Sequence, residues 1–395
     1  MKRVKCASGF CCLVLTITFI FLAMSFIKEA AAAEDSFKIG MITSVTGPMA
    51  PAFKPMFDAA KPTTTLINQR GGIKVGGRKY NIEIVPEDDQ SSPPGAIAAA
   101  NKLAQNGVRF IIAPMFMPSN LAIAPTTEEA KIIRMKAFGM GPAEVNPDTR
   151  YSFYTCASIH NIPFCYDYLE KNYPNVKRIA IIPPDDPGAK VARDLTVKEA
   201  KKHGLEIVFH EPFKIPTEDF YPILTKALDQ KPDVIDGIVS IIPWMSGLIN
   251  QSRELGFTGP IFAPCIFGDI NIVNSIINKK YAYDIFHGGP DVLSDKMLPI
   301  VKDLRKLVEQ TGGPFMMDSA LPLDSVYILM QAIEKAQSFD TDKVVSTIET
   351  MDSIDTIWGP GRWGGEEIFG IKHVVIRPFT FSQIMNGKVE FEFIR

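Results

Sequence analysis

The chain has 395 residues, of which 46% are hydrophobic and 22% are charged, and its formal net charge is −2. Its length provides for two sizeable domains rather than one. This charge balance lacks the basic excess of a nucleic-acid-binding protein, and the high apolar content excludes an intrinsically disordered chain.

Residues 1–33 predict a secretory signal peptide. Three basic residues within the first five precede an apolar run over 13–27, and alanines occupy 30–33. A basic start, an apolar segment and an A-x-A site are typical of a cleaved export signal, here cut between Ala33 and Glu34. The alternative is an uncleaved anchor helix, because the apolar run approaches the length that spans a bilayer. We expect cleavage and a periplasmic protein.

Cleavage changes both the charge and the cysteine count. It removes four basic residues and one acidic residue, which leaves a formal charge of −5, and it leaves three cysteines, Cys156, Cys165 and Cys265. Export permits a disulfide, and an odd count leaves at least one thiol unpaired within the chain. A Cys156–Cys165 bond and three buried thiols are the two alternatives.

From Phe37 onward, segments typical of strands alternate with segments typical of helices. The first half predicts strands at 37–45, 81–88, 109–114 and 132–138, and helices at 54–68, from 93 onward and at 121–131. Ser92 before two prolines is a helix-start signature. Pro62 is expected to kink its helix, because an internal proline removes a hydrogen bond.

The second half repeats this alternation. It predicts strands at 178–183, 205–213, 234–242 and 260–265, and helices at 162–172, 188–204, 219–229 and 246–256. Further helices follow near 295–311, 322–337 and 341–350. The pattern predicts an α/β chain with two doubly wound parallel-sheet lobes. Because the last helices follow both runs, each lobe need not be continuous in sequence.

The architecture by itself indicates where a ligand would bind. Open parallel sheets bind ligands beyond the carboxyl ends of their strands, where helix N-termini also point. The loops at these ends are 46–53, 115–120 and 138–142 in the first lobe and 184–189, 243–246 and 265–269 in the second. We therefore expect one cleft between the lobes.

Common catalytic and metal motifs do not occur. The sequence has no G-x-G-x-x-G after a strand, no phosphate-binding G-x-x-x-x-G-K-[ST], no G-x-S-x-G, no H-E-x-x-H and no C-x-x-C. The acidic cluster Glu87, Asp88 and Asp89 precedes a helix start, where carboxylates cap the helix more often than they bind a metal. We expect no cofactor, no metal and no catalytic residue.

Residues 46–73, TGPMAPAFKPMFDAAKPTTTLINQRGGI, resemble the Leu/Ile/Val-binding (branched-chain amino-acid-type) substrate-binding proteins of ABC importers. Members of that family typically show T-G-P, an amphipathic helix, I-N and G-G-I at this spacing. The resemblance continues through VPEDDQSSP (85–93), TTEEAK (126–131), RELGFTGPI (253–261) and DSVYILMQAIEKA (324–336).

The resemblance implies a type I periplasmic-binding-protein fold whose two lobes close by a hinge motion. Three crossovers would lie near 154–157, 286–290 and 369–374. Residues 34–156 with 286–373 would then form the first lobe, and 157–285 with 374–395 the second. The implied partners are a small-molecule ligand and the membrane permease of an ABC importer, with the binding protein itself a monomer.

The chain departs from the family where amino-acid-binding members hold the charged groups of their ligand. The first-lobe loop that reads G-P-x-S-S in those members has Phe116 and Met117 in place of the hydroxyls. The next loop has Met140 at a threonine position, and no acidic residue stands near Ile266 to pair with an ammonium group. Unpaired buried charges are unfavourable by several kcal/mol, so a free α-amino acid fits poorly.

Soft and aromatic side chains replace those polar groups, which suits a small, largely apolar ligand such as an aromatic or aliphatic acid. The expected ligand-binding residues are Phe53, Met115, Phe116, Met117, Ser119, Gly139, Met140, Gly141, Asp186, Trp244, Ile266 and Phe267. A carboxylate would be held by Ser119 and Asn120 at a helix start, or by Arg134 or Lys136. The alternative is that 115–117 pack inside the lobe.

Three functions remain open at this point. The first is a solute-binding protein that delivers its ligand to an ABC importer, with branched-chain amino acids as the alternative ligand. The second is a ligand sensor for a signalling system, which the same fold can serve. The third is a secreted α/β enzyme, for which the sequence offers no catalytic motif.

Overall fold

The computed structural model describes residues 36–139, 141–185, 189–215 and 217–394, without the side chains of 239, 240, 266, 267, 393 and 394. The segment expected to be a signal peptide, Met140 and Asp186 lie outside the described residues. Within this part of the chain, no helix combines the length and the apolar character needed to cross a membrane.

The first lobe is built on a nine-stranded sheet in the order β14-β15-β16-β6-β5-β4-β1-β3-β2. Its strands are β1 (Ser36–Thr43), β2 (Ile73–Val75), β3 (Arg78–Asp88), β4 (Phe110–Ile112), β5 (Ile133–Lys136), β6 (Ser152–Tyr154), β14 (Ile354–Thr356), β15 (Gly359–Gly364) and β16 (Val374–Ile376). Strands β1, β3, β4, β5 and β6 run parallel. Burial on both faces explains why they read as apolar runs.

The second lobe is built on a seven-stranded sheet in the order β18-β17-β13-β11-β9-β7-β8. Its strands are β7 (Arg178–Ile181), β8 (Glu206–His210), β9 (Val234–Asp236), β11 (Ile261–Ala263), β13 (Ile285–His287), β17 (Phe379–Met385) and β18 (Lys388–Ile394). A separate parallel pair, β10 (Val239–Ile241) and β12 (Cys265–Phe267), extends beyond the carboxyl ends of this sheet.

Helices cover both faces of each sheet, as the alternating sequence pattern predicts. The first-lobe helices are α1 (Ala50–Gln69), α2 (Pro93–Gln105), α3 (Met117–Glu129), α9 (Pro299–Glu309), α10 (Met317–Ala336), α11 (Thr341–Thr350) and α12 (Glu366–Phe369). The second-lobe helices are α4 (Asn161–Asn172), α5 (Lys190–Lys202), α6 (Tyr221–Asp229), α7 (Ile242–Glu254) and α8 (Ile270–Ile276). The predicted α/β architecture with two lobes is confirmed.

Two local predictions about helices have different outcomes. The Ser92 hydroxyl accepts a hydrogen bond from the Gly95 backbone N–H at 3.2 Å, so the predicted helix start of α2 is confirmed. Helix α1 continues through both Pro55 and Pro62. Each internal proline therefore removes a backbone hydrogen bond without ending the helix.

The strand expected over 234–242 is interrupted at Ile238, whose φ of 47° lies in the left-handed region. A β-branched residue adopts this conformation only when its surroundings enforce it. The Ile238 N–H donates to the Asp236 carboxylate at 2.6 Å, and its carbonyl accepts from the N–H of Cys265. The interruption redirects the chain from β9 into β10.

The three crossovers differ in part from the expected positions. The first lies between β6 and a 3-10 turn at Ser158–His160. The second follows His287, because β13 pairs with β17 in the second-lobe sheet, so that lobe does not end at 285. The third lies at 377–378, because β16 pairs with β6 and β15 in the first-lobe sheet. The expectation that 374–376 belong to the second lobe is therefore wrong.

One hydrophobic cluster contains residues from both lobes. Val145, Tyr154 and Phe369 of the first lobe pack with Ile159 and Ile162 of the second, and all are at most 2% exposed. The hinge side of the molecule is therefore a shared core. Cys156, Cys165 and Cys265 are all buried and free, so the alternative with three thiols holds.

Candidate ligand-binding site between the lobes

The loop that follows β1 is held in place by the acidic residues at the end of β3. Asp88 accepts hydrogen bonds from the Val45 N–H at 2.9 Å and the Thr46 hydroxyl at 2.6 Å, and Asp89 accepts from the Ser44 hydroxyl at 2.6 Å. Burial opposes ionisation of Asp88, but these hydrogen bonds outweigh it and lower its pKa. The cluster therefore shapes this loop and does not cap α2, whose N-cap is Ser92. No group of three potential metal ligands is found among the described residues.

Helix α3 begins at the first-lobe side of the expected cleft, and no side chain caps it. Phe116 occupies the N-cap position and cannot bond the free backbone N–H groups of the first turn. Ser119, in that turn, is fully buried and its hydroxyl has no hydrogen-bond partner within the described chain. An uncapped helix start with a free hydroxyl beside it is suited to an anionic group.

The two basic residues expected as alternative carboxylate holders are paired inside the first lobe. Arg134 forms an ion pair with Glu128 at 2.9 Å, and Lys136 forms one with the buried Glu144. Both basic side chains are at most 4% exposed. Burial lowers the pKa of Lys136, and the charge of Glu144 opposes this effect. Neither residue is available to a ligand as an unpaired cation.

Two glycines of the loop after β5 make close approaches that a side chain would obstruct. A Cβ atom on Gly139 would lie 2.1 Å from Cε2 of the Tyr154 ring. A Cβ atom on Gly141 would lie 3.0 Å from Cγ2 of Val191, which belongs to α5 of the second lobe. Gly139 therefore lies against the ring at the first crossover, and Gly141 lies close to the opposite lobe.

The soft and aromatic side chains expected in the cleft divide between two environments. Phe53 and Met115, at 8% and 7% exposure, belong to the first-lobe core, and the half-buried Phe116 packs against that core. Met117 instead packs against the cluster that both lobes share. Within 115–117, Met115 and Phe116 therefore pack in the first lobe, whereas Met117 lies where the lobes meet.

The second-lobe side of the expected cleft contains the start of α7 and the β10–β12 pair. Trp244, in the first turn of α7, is half-buried and packs edge-to-face on Phe213 with ring centroids 5.5 Å apart. The backbones of Ile266 and Phe267 lie in β12, paired with Ser240 and Ile241. Asp236 lies at the end of β9, directly before β10. Its carboxylate accepts hydrogen bonds from the Ile238 N–H and from the Tyr166 hydroxyl, the latter at 2.8 Å.

The sequence reasoning missed two acidic residues at the interlobe boundary. Asp269 caps α8 and is 2% exposed, and one of its carboxylate oxygens has no partner within the described chain. Asp318, in the first turn of α10, belongs to the other lobe. Burial and the charge of Asp269 together raise the pKa of Asp318 to about 7. For Asp269, the sequence signal that could have indicated it is the Gly268–Asp269 pair directly before a helix.

A surface depression of about 660 Å³ in the second lobe is unrelated to this cleft. Its lining residues lie at 172–176, 228, 231–233 and 255–259. These loops precede β7, β9 and β11, so the depression lies at the amino ends of the strands, opposite the cleft loops. It holds none of the groups described above.

Two parallel-sheet lobes joined by three crossovers define a two-lobed α/β fold, in which a ligand cleft is expected at the carboxyl ends of the strands. The chain belongs to the periplasmic binding protein family, whose model matches residues 36–388. This confirms the family that the sequence motifs indicate.

Individual relatives agree with this assignment over most of their length. The Leu/Ile/Val-binding protein of Escherichia coli (strain K12) is 24% identical over 361 residues, covering 87% of this chain and 90% of the relative. The chain is also similar in fold to the branched-chain amino acid transporter substrate-binding protein of Streptococcus pneumoniae in complex with isoleucine. That structure has a TM-score of 0.71 and 18% identity, over 91% of this chain and 99% of the other.

A second similar structure carries a different kind of ligand. It is a solute-binding protein of an ABC transporter from Rhodopseudomonas palustris HaA2, in complex with p-hydroxybenzoic acid. Its TM-score is 0.73 and its identity 18%, over 91% of this chain and 98% of the other. Proteins that share this fold thus include one bound to an amino acid and one bound to an aromatic acid.

Proposed function

We propose that the protein is a periplasmic solute-binding protein that captures a small, largely apolar acid by hinge closure and delivers it to the permease of an ABC importer. The observation that carries this proposal is the start of α3, which has no side-chain cap and a fully buried Ser119 hydroxyl without a partner. A ligand carboxylate would accept hydrogen bonds from the free backbone N–H groups at this helix start and from the Ser119 hydroxyl. The similar fold with bound p-hydroxybenzoic acid supports the ligand class.

The pairing of Arg134 and Lys136 determines how the carboxylate would be held. Because both cations are paired inside the lobe, the negative charge of the ligand would be stabilised by backbone N–H groups and the helix dipole. The rest of the ligand would contact Met117 and Trp244, a thioether and an aromatic ring, which suit an apolar or aromatic body.

A branched-chain amino acid is the second candidate ligand, and Asp269 favours it. Asp269 has a buried carboxylate oxygen without a partner among the described residues, and this oxygen would accept hydrogen bonds from the ammonium group of an amino acid. The side chain of an isoleucine such as Ile266 has no atom that can do so. The relatives named as Leu/Ile/Val-binding proteins support this alternative. In the first candidate, Asp318 would instead donate to a polar substituent of an aromatic acid from its protonated form, which a pKa raised to about 7 keeps in part at neutral pH.

Ligand screening on the mature chain, residues 34–395, tests the proposal and separates the two ligands. The protein is unfolded, dialysed and refolded to remove any bound compound, and its melting temperature is then measured with benzoate, p-hydroxybenzoate, aliphatic acids, leucine, isoleucine and valine. A ligand at 100 times its Kd stabilises the folded state by about 2.7 kcal/mol. Stabilisation by leucine, isoleucine or valine alone would replace the first candidate with the second.

Export and the importer are tested separately. Sequencing the N-terminus of the protein from the periplasmic fraction is expected to begin at Glu34, and an intact Met1 in the membrane fraction would contradict the cleaved signal. Purification of the closed, ligand-bound protein is expected to retain a permease. Recovery of a signalling kinase in its place would favour a sensor, and turnover of the bound compound would favour an enzyme.

A further inference from the structure

Glu144 follows the 139–141 loop and joins three separate elements of the first lobe. One of its carboxylate oxygens accepts from Asn120 of α3 at 2.8 Å and from the ammonium of Lys136 at the end of β5. The other accepts from the Tyr154 hydroxyl, where the first crossover begins, at 2.7 Å. Glu144 is 2% exposed, so water cannot replace these contacts.

Tyr154 connects this carboxylate to the loop itself. Its hydroxyl lies 3.2 Å from the carbonyl oxygen of Gly141, and its ring packs against the backbone of Gly139. The same ring belongs to the core that both lobes share, where it contacts Phe369. Tyr154 therefore touches the loop, the crossover and the shared core at once.

The opposite end of the loop meets the second lobe. Gly141 is close to Val191 of α5, so a change in the distance between the lobes reaches the loop directly. Asn120 lies one residue after Ser119, so the same carboxylate is also bonded to the start of α3. Hydrogen bonds through Glu144 and Tyr154 thus link both the start of α3 and Gly141 to the first crossover.

We propose that Glu144, acting through Tyr154, is a positioning residue that holds Gly139 and Gly141 against the first crossover, so that the place of these two residues and the angle between the lobes change together. Neither side chain needs to touch the ligand for this role. The loop adopts its ligand-binding position only when the crossover is in the arrangement seen here. The ligand-affinity part of this inference rests on the proposed function, whereas the loop-positioning part does not.

Tyr154→Phe tests the proposal most directly, because it removes one hydroxyl and leaves the Lys136–Glu144 ion pair intact. Amide hydrogen exchange of the ligand-free mature protein is measured over 139–145. We expect protection there to fall at least tenfold, while strands β4 and β5 keep the protection of the wild type. In the presence of whichever compound the screen identifies, Kd is expected to rise at least tenfold.

Tyr151→Phe is the matched control. Tyr151 lies in the same lobe, and its partly buried hydroxyl donates to Asp342 at 2.5 Å, away from the loop. Both variants lose one tyrosine hydrogen bond to a carboxylate, so a purely structural role predicts some loss of stability in each and no selective change at 139–145. Equal exchange over 139–145 in the two variants would overturn the proposal.

Glu144→Gln by itself would leave the Lys136 ammonium buried without its anionic partner, which can prevent folding. The double variant Lys136→Met, Glu144→Met removes both charges together, leaves no oxygen at position 144 to accept from Tyr154, and provides a second measurement. It is expected to fold and to lose the protection of 139–145 as Tyr154→Phe does; retained protection would contradict the role of Glu144. If the wild type binds no compound of the screen, the proposed function fails, and the exchange data still decide the positioning role.

Discussion

The ring of Tyr154 lies against the backbone of Gly139 so closely that a Cβ atom at position 139 would be 2.1 Å from its Cε2 atom. Tyr154 is fully buried and hydrogen-bonded to Glu144, so its ring cannot move aside. Glycine at 139 is therefore required by this contact and not by an unusual backbone angle, since no positive φ is found there.

Gly139→Ala is expected to destabilise the protein by about 1–3 kcal/mol, the usual range when an atom is forced into a packed interior. Urea unfolding of the mature chain measures this difference. Gly313→Ala is the control, because a Cβ atom there meets nothing within 4 Å and its backbone has no positive φ. Equal unfolding midpoints for the two variants would show that the Tyr154 ring does not occupy this position.

Gly141→Leu is expected to weaken ligand binding at least tenfold without a comparable loss of stability. The added side chain would collide with Val191 when the lobes approach, since even a Cβ atom lies 3.0 Å from Cγ2 of Val191. The second change Val191→Ala should restore part of the affinity by making room. Isothermal titration of the single and double variants measures both effects, and the absence of any rescue would show that the two residues do not meet in the closed protein.

Ser119→Ala is expected to raise the Kd for an aromatic acid about tenfold or more, because a hydrogen bond to a charged group contributes roughly 1.5–3 kcal/mol. The affinity for the neutral amide of the same acid should change much less. Ser325→Ala is the control, since this hydroxyl is also fully buried and without a partner in the described chain, in helix α10. The same loss for acid and amide would contradict a carboxylate at Ser119.

The free energy of unfolding is expected to depend on pH because of Asp236. Burial raises the pKa of this carboxyl from 3.8 to about 7, against the hydrogen bonds from Ile238 and Tyr166. Between about pH 4 and pH 7 the folded state therefore keeps a proton that the unfolded state loses, so the contribution of Asp236 to stability falls as the pH rises. Asp236→Asn should remove this fall.

Urea unfolding at pH 4, 5.5, 7 and 8 measures that effect as the difference between wild type and Asp236→Asn. The wild type should lose stability relative to the variant as the pH rises through this window and show no further relative loss above it. Tyr166→Phe retains the Asp236 carboxyl, so its free energy of unfolding should still decrease as the pH rises. A pH-independent difference would mean that Asp236 is ionised throughout the range.

The three cysteines are expected to react as thiols only after unfolding. Burial raises the pKa of both Cys165 and Cys265, which disfavours the reactive thiolate. A thiol reagent should detect none in the folded mature chain and three after denaturation without reductant. Detection of a single thiol in the denatured chain would reveal a disulfide.

Local patterns predicted most of the elements and the family. The alternation of strands and helices, the Ser92 helix start and the T-G-P segment each depend on residues close together in the sequence. The break at Ile238 was not predicted, because the hydrogen bond from Asp236 and the pairing of β10 with β12 impose it. The third crossover was misplaced for a similar reason, since β16 reads as a strand in either lobe.

The length and the alternating pattern by themselves indicated a two-lobed α/β chain, and the net charge of −2 gave no sign of a nucleic-acid partner. They also located the cleft loops, because the carboxyl ends of parallel strands follow from the order of the elements. Only the tertiary structure decided that Arg134 and Lys136 are paired inside the lobe and that Asp269 and Asp318 stand at the interlobe boundary. The environment of a charge depends on distant parts of the chain, and burial determines whether that charge serves a ligand or the core.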